Sequence, residues 1–190
     1  MEHLEIIKPV VAFNLSDYHL KGETLIEQKR MIKELKGIYL DQSAFSEMDP
    51  DTIAYTVQSW LPVGEGTPGG LFFGVSTIMP GKVGNEYFMT KGHFHANSDR
   101  AEFYWGVQGQ GMLIMMDRNR KTWAEVVYPG SLHYIGGEIA HRLANTGEVP
   151  LIVGACWPSD AGHDYGAIAS HGFSARLMER EGKPALISEG

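Results

Sequence analysis

Between residues 55 and 157 the chain is cut again and again by turn chemistry, and this constrains its fold more than any other feature. Apolar and β-branched segments at residues 55–61, 71–79, 87–95, 101–116, 122–128, 132–135, 141–145 and 151–157 read as extended. Between them lie the Gly-rich stretch 64–70, Pro80-Gly81, Asp117-Arg118-Asn119, Pro129-Gly130, Gly136-Gly137 and Thr146-Gly147. These are the residue types that reverse a chain. Short strands at this spacing predict an all-β domain, an antiparallel sandwich or barrel. The 23 glycines among 190 residues suit that reading.

Before residue 50 the pattern differs. Residues 10–13 suit an early strand. Thr24-Leu25-Ile26-Glu27 has the form of a capping box. Leu25, Ile26, Met31, Ile32 and Leu35 then follow a roughly helical stripe ended by Gly37, which predicts a helix over residues 25–36. A shorter helix is expected over residues 42–48, stopped by Asp49-Pro50. Residues 1–50 are therefore expected to form an N-terminal extension with one or two short helices packed on a barrel of residues 51–190. After a loop at residues 158–165, segments 173–180 and 184–188 flank Glu181-Gly182 and read as a closing hairpin.

The net charge of −7 provides no global field for nucleic acid or an anionic membrane. An anionic small substrate would need a local pocket. The single cysteine, Cys156, excludes an internal disulfide, favours a reducing compartment and reads as a small apolar core residue. The charged N-terminus lacks the apolar segment of a signal peptide, and no apolar run is long enough for a membrane span. A cytoplasmic protein is expected.

The chemistry concentrates in Thr90-Lys91-Gly92-His93-Phe94-His95, the polar turn after it, and Glu102. On a strand, side chains at i and i+2 share a face, so His93 and His95 point together. The intervening turn is long enough to bring Glu102 opposite them on the next strand, and His141 is the natural fourth ligand. Imidazoles with a carboxylate suit iron, manganese, nickel or zinc, and the absence of thiolates argues against a structural zinc site. His3, His19 and His171 have no ligand-like neighbours and are expected at the surface.

Two stretches resemble the paired motifs of the cupin superfamily: His93-x-His95 with Glu102 and Gly109, then Gly130 with His141 and Asn145. The gap from His95 to Glu102 is longer than in most cupins, and Gly136 and Glu138 replace the usual Pro and Gly of the second motif. The longer gap is shared by one subgroup. Pro80 to Gly84, Thr90 to His95, Arg100-Ala101-Glu102 and Asp160 to Gly166 together closely resemble the cupin-type glucose-6-phosphate isomerases, best known from archaea.

That resemblance implies a double-stranded β-helix jelly roll, a homodimer, and one divalent metal per subunit. Fe²⁺ is foremost, with Mn²⁺, Ni²⁺ or Zn²⁺ as alternatives. It implies reversible conversion of glucose 6-phosphate to fructose 6-phosphate. His93, His95, Glu102 and His141 match the metal ligands. Thr90 and Gly92 match positions that hold the phosphate, and Ser76 stands at a phosphate-contacting Thr. Tyr55, Tyr104, His163 and Tyr165 match other substrate positions, while Trp157 replaces a pocket Tyr. Lys91 would add positive charge near the phosphate.

Isomerisation moves a hydrogen between C2 and C1, and Glu102 is the expected catalytic base for an enediol route. A hydride shift would need no base. Isomerisation of another sugar phosphate, metal-dependent oxygenation, and non-catalytic sugar binding are the competing readings. One geometric condition attaches to Thr90. In a regular strand it would face away from His93, so an irregularity is predicted near Lys91-Gly92, where Gly permits a bend.

Overall fold

The computed structural model describes residues 4–169 and 171–188; His3 lies outside them. In chain order the strands are β1 (Val11–Phe13), β2 (Leu20–Gly22), β3 (Leu25–Met31), β4 (Ile53–Trp60), β5 (Leu71–Ile78), β6 (Lys82–Val83), β7 (Glu86–Tyr87) and β8 (Glu102–Gln108). They continue with β9 (Gly111–Met116), β10 (Thr122–Val127), β11 (Leu132–Ile135), β12 (Ala140–Asn145), β13 (Leu151–Pro158), β14 (Ala175–Arg180) and β15 (Lys183–Ser188). The helices are α1 (Gln42–Glu47) and the single turn α2 (Gly166–Ala169), with a 3₁₀ turn at Ile32–Leu35.

Antiparallel pairing arranges β11-β8-β13-β5-β4-β3 in one six-stranded sheet. Opposite it, β10-β9-β12 forms a second layer. A bridge from Met89 to Ala144 continues that layer into the chain after β7, which pairs with β14. The result is an all-β jelly roll. Its core, with Ile78, Met89, Leu113, Ile114, Leu143 and Leu151 fully enclosed, lies between the layers.

The helix expected over residues 25–36 is not formed. Thr24 has φ +61°, a left-handed conformation that cannot begin a right-handed helix. Leu25–Met31 instead pairs with β4, from Leu25 opposite Trp60 to Arg30 opposite Tyr55. Pairing with a neighbouring strand outweighed a helical stripe of modest propensity. The capping function moved to the 3₁₀ turn, where Glu34 Oε2 accepts from the Met31 amide at 2.8 Å and Ile32 and Leu35 are buried. The first 50 residues are therefore more than a helical appendage, because β3 is the outer strand of the large sheet. The shorter helix is present as α1, capped by Asp41, whose carboxylate accepts from Ala44 N at 2.9 Å.

Two long segments are divided. Residues 101–116 become β8 and β9, broken at Gly109, where φ is +79° and a Cβ would stand 2.6 Å from Pro150 O. Residues 87–95 leave the ladder after Tyr87 and touch it again only in single bridges. The closing hairpin forms, turning on Glu181 and Gly182, both at positive φ. Cys156 is half-buried rather than in the core, since Ala155 and Trp157 take the inward positions on β13. No helix among the described residues is long and apolar enough to cross a membrane.

The end of β12 is held by a fully buried side chain, Asn145. Its amide nitrogen donates to Ile78 O and Val149 O, each at 2.9 Å, and its oxygen accepts from Gly147 N at 2.9 Å. One group thus ties β5, β12 and the following turn. Replacing it leaves the two carbonyls and the amide without partners. Asn145→Ala should lower the unfolding midpoint by about 5–15 °C in differential scanning calorimetry.

Candidate active site

The histidine segment is irregular where the sequence requires it. Met89 bridges Ala144 and His93 bridges His141, so the first strand carries one residue more than its partner between the two contacts. This is a bulge. Gly92 sits in it at φ +77°, where a Cβ would press on Phe173 and Arg142. Thr90 closes the ladder with its side chain: its amide donates to Leu143 O at 2.9 Å, and its Oγ1 accepts from Leu143 N at 3.1 Å. The extra residue changes the parity, so Thr90, Gly92 and His93 all line one cavity.

Within it, one ligand atom from each of His93, His95, Glu102 and His141 lies within 4.8 Å of the others. Their protonation follows from their outer contacts. His95 Nδ1 stands 2.6 Å from Arg100 O, and His141 Nδ1 stands 3.1 Å from Ile139 O. A carbonyl only accepts, so both Nδ1 atoms carry protons and both Nε2 atoms of the neutral rings present lone pairs. Those lone pairs face a carboxylate. His95 Nε2 is 3.2 Å from Glu102 Oε1, and His141 Nε2 is 2.5 Å from the same oxygen without hydrogen-bond alignment. Such a convergence calls for positive charge, carried by protons on the imidazoles or by a cation between them, and this donor set fits a divalent metal.

Burial alone would raise the Glu102 carboxyl, but His141 and His95 outweigh it and hold the group well below its usual range. For His95, burial pushes the imidazole down, and Glu102 with the Arg100 carbonyl more than reverses that. His93 is pushed well below its usual value by burial and by the neighbouring imidazoles. It stays neutral at pH 7.

The cavity extends from these side chains over about 950 Å³. Its floor is the inner face of the large sheet, with Glu102 and Tyr104 from β8, Trp157 from β13, Ser76 from β5 and Tyr55 from β4. Thr90, Gly92, His93 and His141 face them, and His163 and Tyr165 stand at the mouth. All seven residues matched to substrate binding thus meet in one space. Burial raises the Tyr55 hydroxyl to about 12 and lifts Tyr104 far above its usual value, so both remain donors. His163 stacks on Tyr165, with ring centroids 5.8 Å apart and 9° between planes. Its ring centroid is 4.4 Å from that of His93.

The mouth is fastened to the histidine segment. Phe94 and Asp164 exchange backbone hydrogen bonds of 3.2 and 2.8 Å, and Asn97 N donates to Ala161 O at 2.9 Å. Arg100 grips Asp160 with two 2.8 Å bonds. Trp157 packs edge-on to Phe72 and over Gly74, where a Cβ would be 3.0 Å from the indole. Gly74 therefore makes room for the larger ring.

Some lining residues were not anticipated: Arg30, Arg142 and, at the rim, His171. The helical reading of residues 25–36 concealed Arg30. A strand puts Ile26, Gln28 and Arg30 on one face, and that face lines the cavity. His19 contacts Gln58 at 3.2 Å. His133 lies elsewhere, held by Glu125 at 2.6 Å and Ser131 at 2.9 Å.

Residues 29–186 match the family described as glucose-6-phosphate isomerase. The chain belongs to this family. Similar relatives include glucose-6-phosphate isomerase of Thermococcus kodakarensis, 41% identical over 160 residues that cover 83% of either chain. Those of Thermococcus litoralis and Pyrococcus horikoshii are each 40% identical, over 81% and 83% of this chain and 81% and 84% of their own. The matched region begins at Lys29 and so takes in the end of β3.

Metal retention should depend on pH with a definite sign. Ligation needs unprotonated imidazoles, and the raised value of His95 lets protons compete for it as pH falls. Dialysis followed by elemental analysis should find about one divalent ion per chain near pH 7.5 and progressive loss below about pH 6.

Proposed function

We propose that this chain interconverts glucose 6-phosphate and fructose 6-phosphate as a metal-dependent aldose–ketose isomerase, with His93, His95, Glu102 and His141 holding one divalent cation, Fe²⁺ foremost. Membership of an isomerase family supports the reaction. The single structural observation that supports the site assignment is the convergence of one ligand atom each from His93, His95, Glu102 and His141 within 4.8 Å of one another. When bound, a cation here supplies Lewis acidity beside the reacting oxygens.

The chain's own groups divide the remaining work. Glu102 is the only carboxylate at the reacting end among the described ligand groups, and it is ionised throughout the physiological range. It takes the C2 proton and returns it to C1 through an enediol. Tyr104, kept protonated by its enclosure, donates to a sugar oxygen. His163, pushed below its usual value by desolvation, is neutral at pH 7 and able to exchange a proton at the mouth of the cavity. Thr90, Gly92 and Ser76 hold the phosphate end, Tyr55 contacts the substrate from the floor, and Tyr165 closes over the sugar. The cytosolic homodimer implied by the family resemblance completes the proposal. Phe103, Leu132 and Tyr134, exposed together on the outer face of β8 and β11, are a surface that a second copy would cover.

The route turns on what is asked of Glu102. Proton transfer needs it to act as a base on an enediol stabilised in place, whereas a hydride shift needs no base. Isomerisation in D₂O separates them: the enediol route puts solvent deuterium into the product, and a hydride shift does not. On the enediol route, Glu102→Gln that retains metal by elemental analysis should lose about 10²–10⁴-fold in kcat with a much smaller change in KM. Absence of fructose 6-phosphate turnover by the wild-type chain with Fe²⁺, Mn²⁺, Ni²⁺ or Zn²⁺ would refute the isomerase reading.

A further inference from the structure

The end of the cavity away from Glu102 contains a charged group that the family-matched residues do not account for. Arg30 on β3 lies directly across the ladder from Tyr55 on β4. The Tyr55 hydroxyl is in hydrogen-bond contact with the Lys91 backbone, inside the bulge that carries Thr90 and Gly92. Arg30, Tyr55 and the bulge are therefore contiguous. Arg30, Tyr55 and Tyr165 also line the same cavity.

The other arginines of the cavity have defined structural contacts. Arg176 donates to Ile38 O at 2.8 Å and pairs with buried Glu86 at 3.0 Å. Arg142 is buried, with its guanidinium 4.2 Å over the Phe173 ring. Arg30 is held more loosely. Its contacts are long, 3.3 Å to Lys29 O, 3.3 Å to Gln28 Oε1 and 3.6 Å to Glu34 Oε1, and a third of its side chain is exposed. Contacts of that length to partly exposed groups cost little to exchange. Glu34 itself is anchored, because its other oxygen accepts from the Met31 amide at 2.8 Å. Arg30 can thus turn inward while its counter-charge stays in place.

We propose that Arg30 is the cationic anchor of the substrate phosphate, exchanging Glu34 for two phosphate oxygens when the sugar phosphate enters beside Tyr55 and the Thr90–Gly92 bulge. A guanidinium fork matches a phosphate dianion with two parallel N–H donors, which hydroxyls and amides alone cannot neutralise. The inference rests on the sugar-phosphate reading of the site, and its test separates the two.

Wild-type, Arg30→Gln and Arg30→Lys enzymes, loaded with the same metal, would be compared for fructose 6-phosphate kinetics, for inhibition by inorganic phosphate, and for phosphate binding by calorimetry. Arg30→Gln should raise KM and the phosphate inhibition constant together by about tenfold to a hundredfold. Its kcat should stay within about threefold, with metal content unchanged. Arg30→Lys should fall between, because it keeps the charge and loses the fork. Equal KM and equal phosphate inhibition in Arg30→Gln and wild type overturn the proposal, as does a loss of kcat with both constants unchanged. If the wild type turns over no fructose 6-phosphate, the isomerase reading fails by itself. The calorimetry then still decides: phosphate binding lost in Arg30→Gln supports the anchor, and undiminished binding overturns it.

Discussion

A carboxylate buried against two imidazole lone pairs is the constraint on which this site depends. Taking Glu102 out of water carries a desolvation cost of several kcal/mol, which nothing apolar around it recovers. The positive charge must come from the site, as protons on His95 and His141 or as a metal between them. Backbone carbonyls already fix the Nδ1 protons of both rings, at Arg100 O and Ile139 O. Both Nε2 atoms are thereby aimed at the one oxygen of Glu102. The jelly roll supplies this convergence because β8 and β12 belong to opposite layers, and the histidine segment lies beside β12.

The bulge at residues 90–92 couples that centre to the rest of the cavity. Without its extra residue, either His93 or Thr90 would face the wrong side. With it, Thr90 Oγ1 substitutes for a ladder carbonyl, so the irregularity leaves no unpaired amide on Leu143. Gly92 provides both the left-handed turn and the close approach to Phe173. The polar turn that follows is then pinned to the mouth through Arg100–Asp160 and the Phe94–Asp164 backbone pair. A shift at the mouth is therefore transmitted directly to His93 and His95.

What the sequence made legible follows from the range of the interactions involved. Strand parity is a local pattern, and it sufficed to pair His93 with His95, whereas Tyr55, Ser76 and Tyr104 were pointed to by the family resemblance and are brought together by β4, β5 and β8. The parity conflict between Thr90 and His93 was also local, so the irregularity at Gly92 could be anticipated without coordinates. β3 was not legible. Leu25, Ile26, Met31 and Ile32 satisfy a helical period, and only pairing with β4, distant in sequence, selects the strand. The positive φ of Thr24 and the transfer of the cap to Glu34 are consequences of that pairing. Arg30 was missed for the same reason, since its inward direction exists only in the strand. The tautomers of His95 and His141 depend on the carbonyls of Arg100 and Ile139, which no spacing rule reveals.

The charge distribution points the same way as the geometry. The whole chain carries −7, yet around the cavity basic side chains outnumber acidic ones. At physiological ionic strength the general negative field decays within about 8 Å, so an anion at the mouth responds mainly to what lines the cavity. That lining is polarised along its length. Its inner end concentrates neutral imidazoles around a carboxylate, an arrangement that attracts a cation. Its outer end sets Arg30 and Lys91 beside hydroxyls and backbone amides, an arrangement that attracts an anion. A ligand that is anionic at one end and presents neutral oxygens at the other finds a partner for each end. On the proposed reading, Arg30 and Lys91 would draw the phosphate to their end and so leave the reacting carbons of the sugar beside Glu102.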